Sequence, residues 1–227
     1  MSSSTHGLEL KLPFGHCEVC RFLVFCQKRM SRRGARGGQM ELEQKPVSSL
    51  TNDQIVIRLL YTMNHLSRWL SPVHVDARLQ RSANRSERAP KDIVLSLRDE
   101  ELRVFPYFYA MATMKYPNLD ALPPVIRTEE DEAWDRQAKV FEVVAEFRRL
   151  RQSTCSLLRS LPDDAWKRDG ISRETHNWTI RMLAEYLVLN DVKLLAELDQ
   201  SLSRSGAREG VAEAYKPSVL ELQKLAR

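Results

Sequence analysis

Three groups of side chains in this sequence are of types that do chemistry. The first is N-terminal: His16, Cys17, Cys20 and Cys26. Thiolates and imidazoles are the ligands zinc prefers, and Cys17-x-x-Cys20 has the spacing that turns two thiolates onto one ion. Against a closed site, no second Cys-x-x-Cys follows at the usual distance, and the adjacent pair His16-Cys17 is awkward to aim at one metal. Four cysteines in a chain of 227 residues do not make a disulfide framework. Residues 1–40 therefore admit three readings: a folded piece, a metal-binding piece, or a stretch upstream of a true start at Met40. Cys155, in a helical stretch, reads as a small core residue.

The second group consists of polar residues that interrupt apolar helical stripes. They are Ser96 and Glu100 or Glu101 in one helix, Arg148 and Gln152 in another, and Asn190 with Asp191 in a third. Burying such a group unpaired costs about 1 to 3 kcal/mol, so its presence on an inner face calls for a reason. If the helices bring these levels together, Ser96, Glu100, Arg148, Gln152, Asn190 and Asp191 line a polar pocket open to a ligand. The plainer alternative is a structural network, or rotation of some of them toward solvent.

The histidines form the third group, and they are scattered. His65 lies off its helix's apolar stripe, His74 falls in a loop, and His176 precedes a helix beside Trp178. None has a histidine partner at i, i+4, the spacing with which a helix offers two imidazoles to one ion. Asp92, Glu185 and Asp191 are hard-cation ligands by type, yet acids on helices are ordinarily solvated. The sequence holds neither a glycine-rich phosphate loop nor a nucleophile elbow.

The elements that position these groups are helices. Thr51-Asn-Asp-Gln54 has capping-box form, and Ile55, Leu59, Met63, Leu66 and Leu70 recur at three and four residues before Pro72. Residues 71–89 are polar, arginine- and serine-rich, and read as loop. Pro90 suits a first helical turn, and Ile93, Leu97, Val104, Phe108 and Met111 mark the inner face of a second helix reaching Met114. Pro106 predicts a kink or break near Phe105. Residues 115–127, with Pro117, Pro123 and Pro124, form a connection.

Thr128-Glu-Glu-Asp131 opens a third helix. Its stripe reads Trp134, Ala138, Phe141, Ala145, Cys155, Leu158 and Leu161, which is ~50 Å of helix if unbroken. The fourth runs from about Thr179 to Ser203 on Ile180, Leu183, Leu187, Leu194 and Leu198, and Ser218–Arg227 is a further short amphipathic stretch. Four helices with one stripe each favour a bundle, which makes the fold class all-α. Residues 1–48 form an N-terminal segment, 49–205 the bundle, and 206–227 a tail with the short helix.

Composition narrows the function classes. Hydrophobic residues at 43% and charged residues at 29% are those of a globular chain rather than a disordered one. The net charge of +5 is partly local, in Arg29, Arg32, Arg33 and Arg36 and again in Arg78, Arg81, Arg85 and Arg88, so it reads as solvated surface rather than a nucleic-acid interface. No apolar run approaches the ~18 to 20 residues of a membrane span, and the start lacks the form of a secretory signal, so the expected place is the cytoplasm.

The stretch Ser156-Leu-Leu-Arg-Ser-Leu-Pro-Asp-Asp-Ala-Trp166, followed by Trp178-Thr-Ile-Arg-Met-Leu-Ala-Glu185 and Asn190-Asp191, resembles the C-terminal half of DinB/YfiT-like proteins. Lys91-Asp-Ile-Val-Leu-Ser-Leu-Arg-Asp-Glu-Glu101 resembles that family's first metal motif, a histidine within a pattern of the type ILGHLADTE. The resemblance covers roughly residues 50–205. It implies an up-down-down-up four-helix bundle, often a homodimer, holding a divalent metal such as zinc or nickel on three histidines. Enzymes of that family resemble metal-dependent thiol transferases and hydrolases, in which the metal would lower the pKa of a bound thiol or water.

The positions of this chain that match the three histidines are Ser96, Asn190 and Leu194. A hydroxyl and an amide are poor ligands for zinc or nickel, and leucine is none. The expectation is thus a bundle with no metal and no catalytic residue. It would bind a small molecule or a protein, in a stress or DNA-damage response as the family's name implies. The rival expectation is a metal-dependent thiol S-transferase or hydrolase with atypical ligands drawn from Glu100, Asp191 and His65.

Overall fold

The computed structural model describes residues 46–173 and 177–209, all within the second of the chain's two units, Gln39–Arg227. The cysteine cluster at 17–26, His176 and the stretch 218–227 lie outside the described residues. The helices are α1 (Asn52–Leu70), α2 (Asp76–Leu79), α3 (Pro90–Thr113), α4 (Glu129–Gln137), α5 (Val140–Ser160) and α6 (Ile180–Arg204). A short antiparallel pair, β1 (Asp169–Gly170) with β2 (Trp178–Thr179), leads into α6. No helix among the described residues is long and apolar enough to cross a membrane.

The starts follow local chemistry. Thr51 accepts from the Gln54 amide at 3.3 Å while the Gln54 side chain accepts from the Thr51 amide at 2.9 Å, so the expected capping box forms. Pro90 stands in the first turn of α3, where its missing N–H is no loss. Thr179 caps α6 by accepting from Met182 N–H at 3.1 Å. At the other end of α6, Gly206 adopts a left-handed φ of 69°, the conformation that terminates a helix at little cost only for glycine.

Two expectations are corrected. Of the kink or break expected near Phe105, the break does not form: α3 is one continuous helix through Pro106, giving up one backbone N–H there without ending. The long third helix, by contrast, is two. It stops at Gln137 and restarts at Val140, with the Lys139 amide donating to Glu142 at 2.7 Å and Ala138 buried at the corner. This restart changes the helical phase. Trp134 is 41% exposed and Phe141 43%, whereas Val140, Val143, Phe147, Thr154, Cys155 and Leu158 are the residues α5 buries.

Cross-links between elements give the topology. Helix α1 antiparallels α5, with Asn52 reaching Asp163 and Leu59 reaching Arg151, and runs parallel to α6, with Asn52 bonded to Arg181 and Thr62 to Asp191. Helix α3 is parallel to α5 (Arg98 to Glu146, Glu101 to Arg151) and antiparallel to α6 (Arg88 to Ser201, Arg103 to Tyr186). The order is up, down, down, up. Parallel α3 and α5 require a long crossover, which residues 114–139 supply.

Buried cations of α3 tie the crossover down, Lys91 donating to the Arg136 carbonyl at 3.1 Å and Arg98 making the larger set of contacts. Arg98 of α3 donates to both oxygens of Asp135 at 2.8 Å, to Glu146 at 2.8 Å and to Asp99 at 2.7 Å. Burial works to lower its pKa, but Asp135, Asp99 and Glu146 outweigh this and raise it.

Candidate functional site

The apolar core divides into two clusters. One gathers Leu66, Trp69, Ile93, Leu97, Phe147 and Leu198, the other Ile55, Leu59, Phe108, Leu158, Leu183 and Leu187. Between them lies a layer of buried polar groups: Thr62 from α1, Glu101 from α3, Arg151 and Thr154 from α5, and Asp191 from α6.

Arg151 organises this layer. Its Nη2 donates to Asp191 Oδ1 at 2.9 Å, its Nη1 to Asp191 Oδ2 and to the Leu59 carbonyl at 3.1 Å, and its Nε to Glu101 Oε1. Thr154 Oγ1 donates to Glu101 Oε2 and Thr62 Oγ1 to Asp191 Oδ2, each at 2.6 Å. The guanidinium also sits 4.9 Å from the Phe147 ring centre. One side chain therefore contacts polar groups from the other three bundle helices. Burial pulls the Arg151 pKa down, and Asp191 and Glu101 pull it up by more, so the charge is held firmly. Burial also raises the Glu101 carboxyl above its ordinary range, against the opposing pull of Arg151.

This arrangement serves packing better than catalysis. Every side chain named in it is engaged and buried. The neighbouring thiol of Cys155 is pushed up to about 12, by burial before any charge effect, which keeps it protonated and inert.

Of the residues picked from the sequence, Asp191 belongs to this layer and its helix neighbour Asn190 is half-buried. Glu100 faces away from the layer, accepting from Arg103 Nε at 3.1 Å, with Arg103 also reaching Tyr186. Arg148 and Gln152 open onto a different place, a groove of about 510 Å³ between α1 and α5. Its apolar floor includes Leu66, Leu70, Phe141 and Val144, and Arg148 and Arg149 stand at its side. The structure thus places Asp191, Glu100 and the pair Arg148 and Gln152 in three different surroundings.

Thr62, Arg151 and Thr154 are the members that the sequence did not single out, and Glu101 entered only as the alternative to Glu100. The signal was present for Arg151: counted from Val140, the inner face of α5 passes through 143, 147, 151, 154 and 158.

Ser96, Asn190 and Leu194 stand at one level of the antiparallel pair α3–α6, since Arg88 and Arg103 of α3 reach Ser201 and Tyr186 of α6. Their chemistry does not suit a transition metal. Leu194 is buried in the apolar core. The Ser96 hydroxyl donates to the Asp92 carbonyl at 3.1 Å and accepts from Arg88, whose Nη2 also donates to that carbonyl at 2.7 Å. Arg88 in turn pairs with Glu197, one turn beyond Leu194, at 3.5 Å. A guanidinium here repels the divalent ion that three imidazoles would attract.

Of the rival ligands, His65 and Asp191 line one small pocket between α1 and α6, and Glu100 lies elsewhere. His65 Nδ1 meets the Tyr61 carbonyl at 2.9 Å and its ring meets Trp69 edge-on, while Asp191 is engaged by Arg151 and Glu100 by Arg103. Among the described residues no three His, Cys, Asp or Glu side chains group as a metal site.

Comparison with known proteins adds to this geometry. No protein-family model matches the sequence, and no curated protein matches it. Among solved structures the chain is similar to YfiT from Bacillus subtilis, described as a probable metal-dependent hydrolase with an unusual four-helix bundle topology. The two are 20% identical, with 71% of this chain and 93% of that one covered and a TM-score of 0.56. The likeness expected from the short motifs therefore holds at the level of the fold.

Proposed function

We propose that this chain is a DinB-like bundle that has given up the family's metal chemistry and acts by binding a small molecule or a protein segment. The observation that carries the reading is Arg88, which engages Ser96 and Glu197 at the level of Leu194, so that a cation of the chain's own stands near the positions the family gives to imidazoles. The buried Arg151 layer supports it from a second side. It engages the two interior acids, Glu101 and Asp191, with Arg151, so that neither stands free as a metal ligand. A place in a stress or DNA-damage response comes with the family resemblance, and induction of the transcript by DNA damage is its direct test.

Metal analysis of the purified full chain tests the main reading. The expected content of zinc and nickel at the α3–α6 level is well below one ion per chain, unchanged by Asn190→Ala. A stoichiometric transition metal that Asn190→Ala removes would overturn the proposal in favour of a thiol transferase or hydrolase with atypical ligands.

A further inference from the structure

We propose that the groove between α1 and α5 binds a small phosphorylated molecule, its phosphate held by Arg148, Arg149 and the Ser67 hydroxyl. This names a ligand chemistry for the binding reading above, and rests on it.

The charge pattern of the two helices comes first. From Gln54 to Val75 the chain holds no Asp or Glu, and from Phe147 to Pro162 it again holds none. With 30 acids in 227 residues, stretches of that combined length would ordinarily carry about five. In their place stand Arg58, Arg68, Arg148, Arg149, Arg151 and Arg159. Arg151 is taken by the interior layer and Arg58 faces the small pocket toward α6, whereas Arg148 and Arg149 line the groove.

These two guanidinium groups form no ion pair among the described residues. Arg148 reaches across the groove to Ser67 Oγ at 3.5 Å, a long bond that leaves most of its N–H groups over. The acids nearest them along α5 are otherwise engaged. Glu146 turns to α3 and pairs with Arg98 at 2.8 Å, and Glu142 accepts from the Lys139 amide at 2.7 Å. Two planar forks of donors with no carboxylate opposite them suit a phosphate.

The shape of the groove fits a small ligand. Its volume of about 510 Å³ falls in the range of small-molecule sites. Ser67 and Ser71, one turn apart on α1, and Gln152 on α5 add neutral polar groups to its lining, and no acid lines it. Phe141, 43% exposed, stands seven residues before Arg148, ~10 Å along the axis, and offers a ring face to the rest of the molecule. One concave seat of this size, rather than a track along the surface, favours a small molecule over a nucleic-acid strand.

Equilibrium dialysis of the full chain, with a chelator present, tests this against inorganic phosphate, adenosine 5′-monophosphate and adenosine. The expected result is one nucleotide per chain with a Kd of about 1 mM or lower, phosphate weaker, and adenosine weaker still. Arg148→Gln and Arg149→Gln should each weaken nucleotide binding about tenfold, while Arg85→Gln, in an exposed loop, leaves it unchanged. All three side chains are exposed, so circular dichroism and the unfolding midpoint should stay as in the parent. No saturable binding up to about 10 mM, adenosine bound as tightly as its monophosphate, or phosphate bound in preference to the nucleotide would each overturn the proposal. So would equal losses in all three variants, or displacement of the nucleotide by micromolar single-stranded DNA. A metal-free chain that takes up no nucleotide would sink this site alone, whereas a stoichiometric metal in the untreated protein would sink the binding reading whatever the dialysis shows.

Discussion

Arg151 on α5 and Asp191 on α6 meet side by side, two N–H groups on two carboxylate oxygens, with both side chains withdrawn from water. Removing Asp191 leaves Arg151 with Glu101 as an ion partner but takes away two charge-assisted hydrogen bonds in the core, which costs about 3 kcal/mol. Asp191→Asn should therefore lower the urea midpoint sharply at unchanged slope. Replacing Arg151, Glu101 and Asp191 together by apolar residues of similar volume should recover that loss, ending between neutral and about 4 kcal/mol more stable than the parent. A single Asp191→Asn variant within about 1 kcal/mol of the parent would show that water reaches the pair.

The four-helix plan was legible because apolar spacing, Pro90 and the Thr51 capping box all spoke locally, and those residues sit where their spacing placed them. The polar interior was only partly legible. Reading one continuous helix from Thr128 carried the phase through Ala138 into Phe141, which turned attention to Arg148 and Gln152. The restart at Lys139 moves the inner face by one residue, and Arg151 comes in. Nothing near residue 138 breaks a helix by type, since neither glycine nor proline stands there. The break comes instead from tertiary demands, with Arg98 binding Asp135 before the corner and Glu146 after it. The choice between Glu100 and Glu101 had the same cause: adjacent positions lie ~100° apart on a helix, and only the partner decides between them.

That anchoring role of Arg98 can be measured. Arg98→Met keeps the apolar stem but leaves Asp135, Asp99 and Glu146 without their shared cation, although Arg127 still holds Asp99 at 2.8 Å and Asp135 at 2.6 Å. We expect a loss of about 2 to 4 kcal/mol. Cleavage by a low level of protease should quicken within residues 114–139 and not within α6. Uniform acceleration across the chain would point to global unfolding and against a local tether.

The level shared by Ser96, Asn190 and Leu194 makes a gain-of-function prediction possible. Ser96→His, Asn190→His and Leu194→His, combined with Arg88→Ala, should create a nickel or zinc site detectable by titration with the metal alone. The same three histidines with Arg88 retained should bind at least about tenfold more weakly, because a unit positive charge opposes the ion at close range. Stability should fall in both, as Leu194 is a core residue. Equal affinity with and without Arg88 would mean that the guanidinium swings clear and has no part in excluding metal.

Cys155 offers a readout of the layer from inside. With Cys17, Cys20 and Cys26 changed to serine, one thiol remains, buried beside Arg151 and with its pKa pushed up to about 12 from an ordinary 9.0. Because the folded form keeps a proton that the unfolded form has already lost, this group's contribution to stability is whole below pH 9. It then declines as pH rises from about 9 toward about 12, with a limiting slope of about 1.4 kcal/mol per pH unit. Cys155→Ala lacks that group, so the stability difference between the two proteins should shrink steadily above pH 9. At pH 8 a disulfide reagent should modify Cys155 only as fast as the protein opens, and Asp191→Asn should speed that reaction by at least about a hundredfold, in step with its lost stability. Rapid modification in the parent, at the rate of a free thiol, would mean that the layer around Arg151 admits solvent and is not the closed interior described here.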